Sequence, residues 1–280
     1  MISIIICSRN ENISPALRKN IDETIGTEYE FVIIDNSLGK YSIFEAYNEG
    51  VARARGNLLC FVHDDVMFRT KEWGQNIENL FINNHDMGVV GVAGSHFMPK
   101  VPMYWWSSPF ISQYNLENDN GQIKENSTQD YFHDNLAEVA VVDGLCMFIP
   151  AELFNTISFD DKTFSGFHAY DMDICMQVQS LGKKVYVSNV FLIEHFWSEK
   201  SFENKKYMAL LDNNLKLYFN KWKECLPITR GLDEPQIVLD RVNNLCLSAY
   251  SGKMARASYA YRLGKTFLRP LKFLAGKKYQ

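Results

Sequence analysis

Asn48-Glu-Gly-Val-Ala-Arg-Ala-Arg-Gly-Asn-Leu-Leu-Cys-Phe-Val-His-Asp-Asp-Val66 is the stretch that decides the fold. It predicts the end of a helix, a stop at Gly56, a strand from Leu58 to Val62 and then two adjacent acids, Asp64 and Asp65. A buried strand that runs into paired acids passes from the driest part of a domain to concentrated negative charge. Neighbouring carboxylates repel each other unless a cation sits between them, and their hard oxygens suit Mg²⁺ or Mn²⁺. Mg²⁺ is commonly held by one or two carboxylates together with phosphate oxygens. The stretch therefore points to a metal and diphosphate site at the end of a sheet.

Upstream, the chain alternates strand and helix. Ser3 to Cys7, Phe31 to Ile34 and Leu58 to Val62 are apolar strands; Pro15 to Ile25 and Ser42 to Arg55 are helical. Near-continuous apolar strands between helices predict an α/β fold with a parallel sheet covered on both faces. Each strand runs into polar residues: Ser8-Arg9-Asn10, Asp35-Asn36-Ser37 and His63-Asp64-Asp65. Ligands of open α/β sheets bind outside the carboxyl ends of the strands, so the three clusters are expected to form one site.

Downstream, Met87 to Gly94 predicts a fourth strand, and residues 95–136 read as a long irregular insertion of the kind that serves binding. Ala137 to Val142 returns to strand character and leads into Asp143-Gly144. A helix is expected over Asp171 to Leu181, a strand over Lys184 to Val187, and Ile193 to Trp197 to close the sheet region. From about Ser201 the pattern is helical, interrupted between Pro227 and Pro235. The expected division is a catalytic unit over residues 1–200 and a helical C-terminal extension over residues 201–280.

Composition narrows the class. With 46% hydrophobic and 22% charged residues among 280, the chain is an ordinary globular one and disorder is excluded. No apolar run approaches the roughly 18 residues of a membrane-spanning helix. Met1 to Arg9 lacks a preceding basic segment and reads as a first strand, not a signal peptide. The six cysteines include no C-x-x-C pair, which argues against zinc and against a disulfide framework and for reduced thiols in a cytoplasmic protein. Eight basic residues and no acidic one lie between Lys253 and Gln280, an asymmetry that suggests a tail with its own partner. No nucleic-acid partner is expected.

From Ile2 to about His195 the chain resembles the GT-A-fold glycosyltransferases of the large inverting family 2 type. Four elements in order carry the resemblance. They are a first strand ending in a polar loop, a second ending in Asp35, and an Asn-x-Gly-x-x-x-Ala-x-Gly helix running into an Asp-x-Asp-like strand end. The last is the acidic helix start Tyr170-Asp171-Met-Asp173, followed by His195. The resemblance implies a Rossmann-like, mostly parallel sheet flanked by helices. It also implies that Ser8, Arg9, Asn10, Asp35, Asn48, Arg55 and Asp64 bind a nucleotide-sugar donor. Asp65, His63 and His195 would hold Mn²⁺ or Mg²⁺, Asp171 would be the catalytic base, and Gly144, His168 and Trp105 would face the acceptor.

The chemistry of these residue types fits those roles. A carboxylate such as Asp35 accepts hydrogen bonds from ribose hydroxyls or a base N–H; as a strand-end residue it would equally make a turn. An inverting transfer needs one carboxylate to take the acceptor's proton, and a helix N-terminus favours its ionised form; Asp171 and Asp173 also suit helix-start caps. Trp105 and Trp106 can stack on sugars or pack. Two positions depart from the family pattern. His63 stands where the first acid of Asp-x-Asp belongs, which favours Mn²⁺ over Mg²⁺, and Tyr170 stands in place of a Glu.

The expectation is thus a metal-dependent inverting glycosyltransferase using a UDP-sugar, with a saccharide or lipid-linked acceptor, in surface polysaccharide synthesis. A sugar-phosphate nucleotidyltransferase would need a glycine-rich phosphate loop after the first strand, and Cys7 to Glu11 has no glycine. A non-catalytic nucleotide or glycan binder is the other alternative, supported by His63 and Tyr170. In the tail, Arg262, Lys265, Arg269 and Lys272 recur at helical spacing opposite Leu263, Phe267, Leu271 and Leu274. That pattern suits the inner face of an anionic membrane, or packing on the catalytic domain or on a second subunit of a homodimer.

Overall fold

Ile2–Ser8 forms β1, the strand on which the main sheet is assembled. The computed structural model describes residues 1–128, 130–196 and 205–251. The basic tail and Trp197 lie outside the described residues. After β1 come α1 (Pro15–Thr24), β2 (Tyr29–Asp35), α2 (Ile43–Arg53) and β3 (Leu58–Val62). The next elements are β4 (Val66–Phe68), α3 (Trp73–Asn83), β5 (Met87–Gly91), β6 (Ala93–Ser95), β7 (Phe97–Met98), β8 (Ile111–Asp119) and β9 (Gln122–Thr128). Then follow β10 (Leu136–Val139), β11 (Val141–Val142), β12 (Cys146–Pro150), α4 (Tyr170–Ser180), β13 (Lys184–Ser188), β14 (Ile193–Phe196), α5 (Lys205–Trp222) and β15 (Ile228–Thr229).

The main sheet runs β10-β13-β5-β12-β3-β1-β2. Its strands alternate strictly between two cores. Ile5, Leu59 and Phe61 face one side, where Phe44 and Tyr47 of α2, Ile174 of α4 and Leu215 of α5 pack. Ile4, Ile6, Cys60 and Val62 face the other, where Leu17 of α1 and Trp73 of α3 pack. Burying one such large apolar side chain contributes about 1.5–3 kcal/mol, which is why these strands read as unbroken apolar runs. The expected α/β fold with helices on both faces is the one the chain forms. Within the Asn48–Gly56 motif, Gly50 is set by packing: a Cβ there would lie 2.3 Å from Cγ2 of Ile5, so only glycine lets α2 rest on β1.

Two expectations need correction in detail. The sheet is mixed, because β12 lies antiparallel between β3 and β5. No crossover helix precedes β12; the chain enters at the carboxyl edge of β3, pairing Cys146 with Val62, and must run backwards. Residues 95–136 are not irregular throughout: β8 and β9 form a hairpin in a second sheet of order β11-β6-β8-β14-β4. Its turn is Asn120-Gly121, both at positive φ (51° and 90°), the backbone that a two-residue hairpin turn requires. The strand expected over Met87 to Gly94 divides at Val92, β5 staying in the main sheet and β6 passing into the second.

Candidate active site

Strand pairing gathers the predicted residues at one edge. The parallel register of β1 with β3 and β2 places the ends of all three together, with Ser8 opposite Asp35. Strand β14 pairs antiparallel with β4, His195 opposite Val66, and the Phe196 N–H donates to the Asp65 carbonyl at 2.9 Å. That pairing carries His195 to the acids at the end of β3. Entry into β12 does the same for Asp143 and Gly144, since the His63 N–H donates to the Leu145 carbonyl at 3.1 Å.

His63, Asp65 and His195 each offer a ligand atom, all within 4.8 Å of one another. His63 Nδ1 is 3.8 Å and His195 Nε2 3.4 Å from Oδ1 of Asp65. That oxygen is buried and accepts no well-formed hydrogen bond. Burial opposes ionisation of Asp65, but His195, His63 and Arg9 outweigh it and bring the carboxyl down to about 2. Burial, aided by the neighbouring His195, brings His63 down to about 4, so its imidazole is neutral near pH 7. A buried anionic oxygen beside two imidazoles is a candidate donor set for a divalent cation, and its nitrogen content favours Mn²⁺ over Mg²⁺.

Asp64 closes the site towards β1. Its Oδ2 accepts from the Arg9 backbone N–H at 3.0 Å and lies 3.5 Å from the Ser8 hydroxyl, and its Oδ1 accepts from Arg9 Nη2 at 3.0 Å. The same guanidinium nitrogen reaches Oδ2 of Asp65 at 3.0 Å. The Asn10 N–H donates to the Ser8 hydroxyl. Asp35 is exposed, and its Oδ1 accepts the Ser37 N–H at 2.9 Å, a bond that lowers the carboxyl's pKa. The turn role weighed for Asp35 is therefore realised.

Asp171 stands at the first turn of α4, where Oδ2 accepts the Gly144 N–H at 3.1 Å and Oδ1 the Met172 N–H at 2.9 Å. Burial, with the added repulsion of Asp143, raises it from 3.8 to about 7. A carboxylate balanced near neutrality can take a proton and release it again. Asp173, two residues on, is turned away into a clamp: Lys221 and Trp222 of α5 both donate to it.

Two residues of the edge escaped the sequence reading. Asp143 is half-buried beside Asp171 and His195, and desolvation raises its pKa against the hydrogen bond from the Leu145 N–H. Its signal was an acid placed directly after the apolar pair Val141-Val142. Tyr170, noticed only as a departure from a family pattern, bonds His63 Nε2 through its hydroxyl at 2.9 Å.

Other expected residues fall elsewhere. The Asn48 amide binds the Phe159 backbone and Asp161, bracing α2 against the 158–161 loop. Arg55 precedes β3, at the opposite end of the strand from Asp64, and pairs with Glu30. Neither joins the cluster, because the glycines that define their motif serve packing. Trp105 is buried, whereas Trp106 is half-exposed and stacks on Tyr104 with centroids 4.1 Å apart. His168 is buried in the 165–168 loop, with Nε2 lacking a partner and its pKa lowered to about 4 by burial. Gly144 touches both Asp171 and Tyr170.

The model of a glycosyltransferase-like family matches residues 3–222. No curated protein matches the chain in sequence. Among solved structures, it is similar to GalNAc-T7 with UDP, GalNAc and Mn²⁺, with 10% identity and a TM-score of 0.48 over 78% of this chain and 50% of that one. It is also similar to S. aureus TarS 1–349 in complex with UDP-GlcNAc, with 14% identity and a TM-score of 0.44 over 75% of this chain and 64% of that one. The chain thus spans half the length of the GalNAc-T7 chain it matches.

Proposed function

The chain belongs to this glycosyltransferase-like family, and from that premise we propose that it is a metal-dependent, inverting transferase. It moves a sugar from a nucleoside diphosphate, a UDP-sugar, to a hydroxyl of a saccharide or lipid-linked acceptor, in surface polysaccharide synthesis. The observation that carries this reading is Oδ1 of Asp65 set between two imidazoles, at the same sheet edge as a carboxyl raised to about 7.

His63, Asp65 and His195 would hold the cation, which when bound supplies positive charge to the departing diphosphate. Arg9, fixed by Asp64 and Asp65, adds a second positive charge there. Ser8, Asn10 and the exposed Asp35 would line the nucleoside side. On the acceptor side, Asp171 takes the hydroxyl proton as that oxygen attacks the anomeric carbon. One base and one displacement invert the configuration. Gly144 orients the base, and His168 and Trp105, with the half-exposed Trp106 beside Trp105, are assigned to the acceptor side.

The proposed organisation is a catalytic unit over residues 1–200 with a helical extension over residues 201–280, whose basic tail contacts an anionic membrane surface. Among the described residues, no helix is long and apolar enough to cross a membrane.

A panel of nucleotide-sugars incubated with the protein and Mn²⁺ tests the reading by release of nucleoside diphosphate. Turnover that requires Mn²⁺, stops in EDTA and is lost in Asp171→Asn is the expected result. Ligand binding without turnover of any donor would make the chain a binding module.

A further inference from the structure

Two residues that depart from the family pattern, His63 and Tyr170, touch each other, although they are 107 positions apart in sequence. The Tyr170 hydroxyl lies 2.9 Å from His63 Nε2 and 3.1 Å from the Gly144 carbonyl oxygen. A carbonyl oxygen can only accept, so the single phenolic proton serves Gly144. The hydroxyl then accepts from His63, which requires the proton on Nε2. That leaves Nδ1 with its lone pair on the side of Asp65 Oδ1, 3.8 Å away.

The tyrosine cannot easily turn from this task. It is buried, with Phe44 and Tyr47 packed edge-on against its ring at 6.3 and 5.5 Å. Position 144 must be glycine for the hydroxyl to come so close: a Cβ there would stand 2.1 Å from it. The hydroxyl thus bridges the candidate cation cluster and the loop that holds Asp171 through the Gly144 N–H.

We infer that Tyr170 is a positioning residue that fixes the His63 tautomer and ring so that Nδ1 is presented as the metal ligand, the pair replacing the two acids of the family pattern. This rests on the metal reading of the cluster given above. Partners of a ligating imidazole's other nitrogen set its tautomer, and losing one typically costs about 10–100-fold in metal affinity.

The test is a double-mutant cycle on the full chain with Mn²⁺ alone, no donor present, read by paramagnetic resonance of free and bound ion. Tyr170→Phe is expected to weaken Mn²⁺ by about 10–100-fold. In a His63→Ala background the same change should matter less than about twofold, since the coupling partner is gone. An equal loss in both backgrounds, or no loss in either, overturns the inference. Nitrogen NMR of His63 in the wild type needs no variant: a proton on Nε2 supports the inference and a proton on Nδ1 overturns it. If the wild type binds no Mn²⁺, the metal reading fails, and the NMR result still decides where Tyr170 holds the proton.

Discussion

Nη2 of Arg9 lies 3.0 Å from Oδ2 of Asp65, whereas the imidazoles of His63 and His195 approach Oδ1 of the same carboxylate. Asp65 therefore faces a guanidinium with one oxygen and two imidazoles with the other. The arginine side chain is 74% exposed, so it is held by charge and not by packing.

Arg9→Gln is expected to act in opposite directions on the two ligands. Removing a positive charge beside Asp65 makes the carboxylate a stronger partner for Mn²⁺ and the site a weaker one for a diphosphate. Calorimetric titration with Mn²⁺ alone should show tighter binding, and titration with UDP in saturating Mn²⁺ weaker binding. Changes in the same direction would remove Arg9 from the donor's surroundings.

Asp65→Ala removes the oxygen that joins the two imidazoles. UDP binding in Mn²⁺ should fall to the level measured in EDTA, and the wild type should show a clear difference between those conditions. Equal wild-type affinity in both would exclude a metal role.

Asp171→Asn should leave UDP binding nearly unchanged and lower turnover by about 10²–10⁴-fold, the usual cost of a lost general base. In the wild type the base must be ionised, so kcat should fall as pH drops below about 7. Stability should move the other way. The folded-state value of this carboxyl lies above its ordinary one, so its contribution is intact at low pH and is lost as pH rises through about 7. The asparagine variant should match the wild-type Tm only below the ordinary value of 3.8 and exceed it by a margin that grows up to about pH 7.

Gly144→Ala places a methyl 2.1 Å from the buried Tyr170 hydroxyl. Overpacking of this kind costs about 1–3 kcal/mol, so urea unfolding should show a lowered midpoint. Turnover should fall further than stability alone explains, because the Gly144 N–H also holds Asp171.

The tail prediction rests on sequence alone. The full chain should sediment with anionic liposomes at low salt, and a chain ending at Gly252 should not. Both sedimenting equally, or neither, would exclude a membrane role for residues 253–280.

What the sequence disclosed, and what it hid, follows from how far each signal travels along the chain. Strands β1 and β3 were legible because both faces are buried, so their apolar runs are nearly continuous. Asp65 and Asp171 were legible because an acid at a strand end or helix start contradicts its apolar neighbours. The hairpin β8–β9 was overlooked because Ile111–Asp119 is largely polar, although Asn120-Gly121 was a sufficient local signal. Asn48 and Arg55 bond away from the cluster, to Phe159 and Glu30, and the glycine beside them, Gly50, answers to its close approach to Ile5. The bond between His63 and Tyr170 has no local signature, since it exists only once β3, β12 and α4 are packed.

The pairing of β14 with β4 has a consequence for how the protein is made. His63 and Asp65 leave the ribosome early, yet their third companion, His195, joins them only when the last strand of the second sheet has docked. On the metal reading proposed above, a nascent chain would offer a passing ion two ligands and no enclosed site, and the strongest grip would become available at the end. An ion that favours the finished arrangement over every earlier one cannot steer the first steps of folding; it acts as a latch on the last.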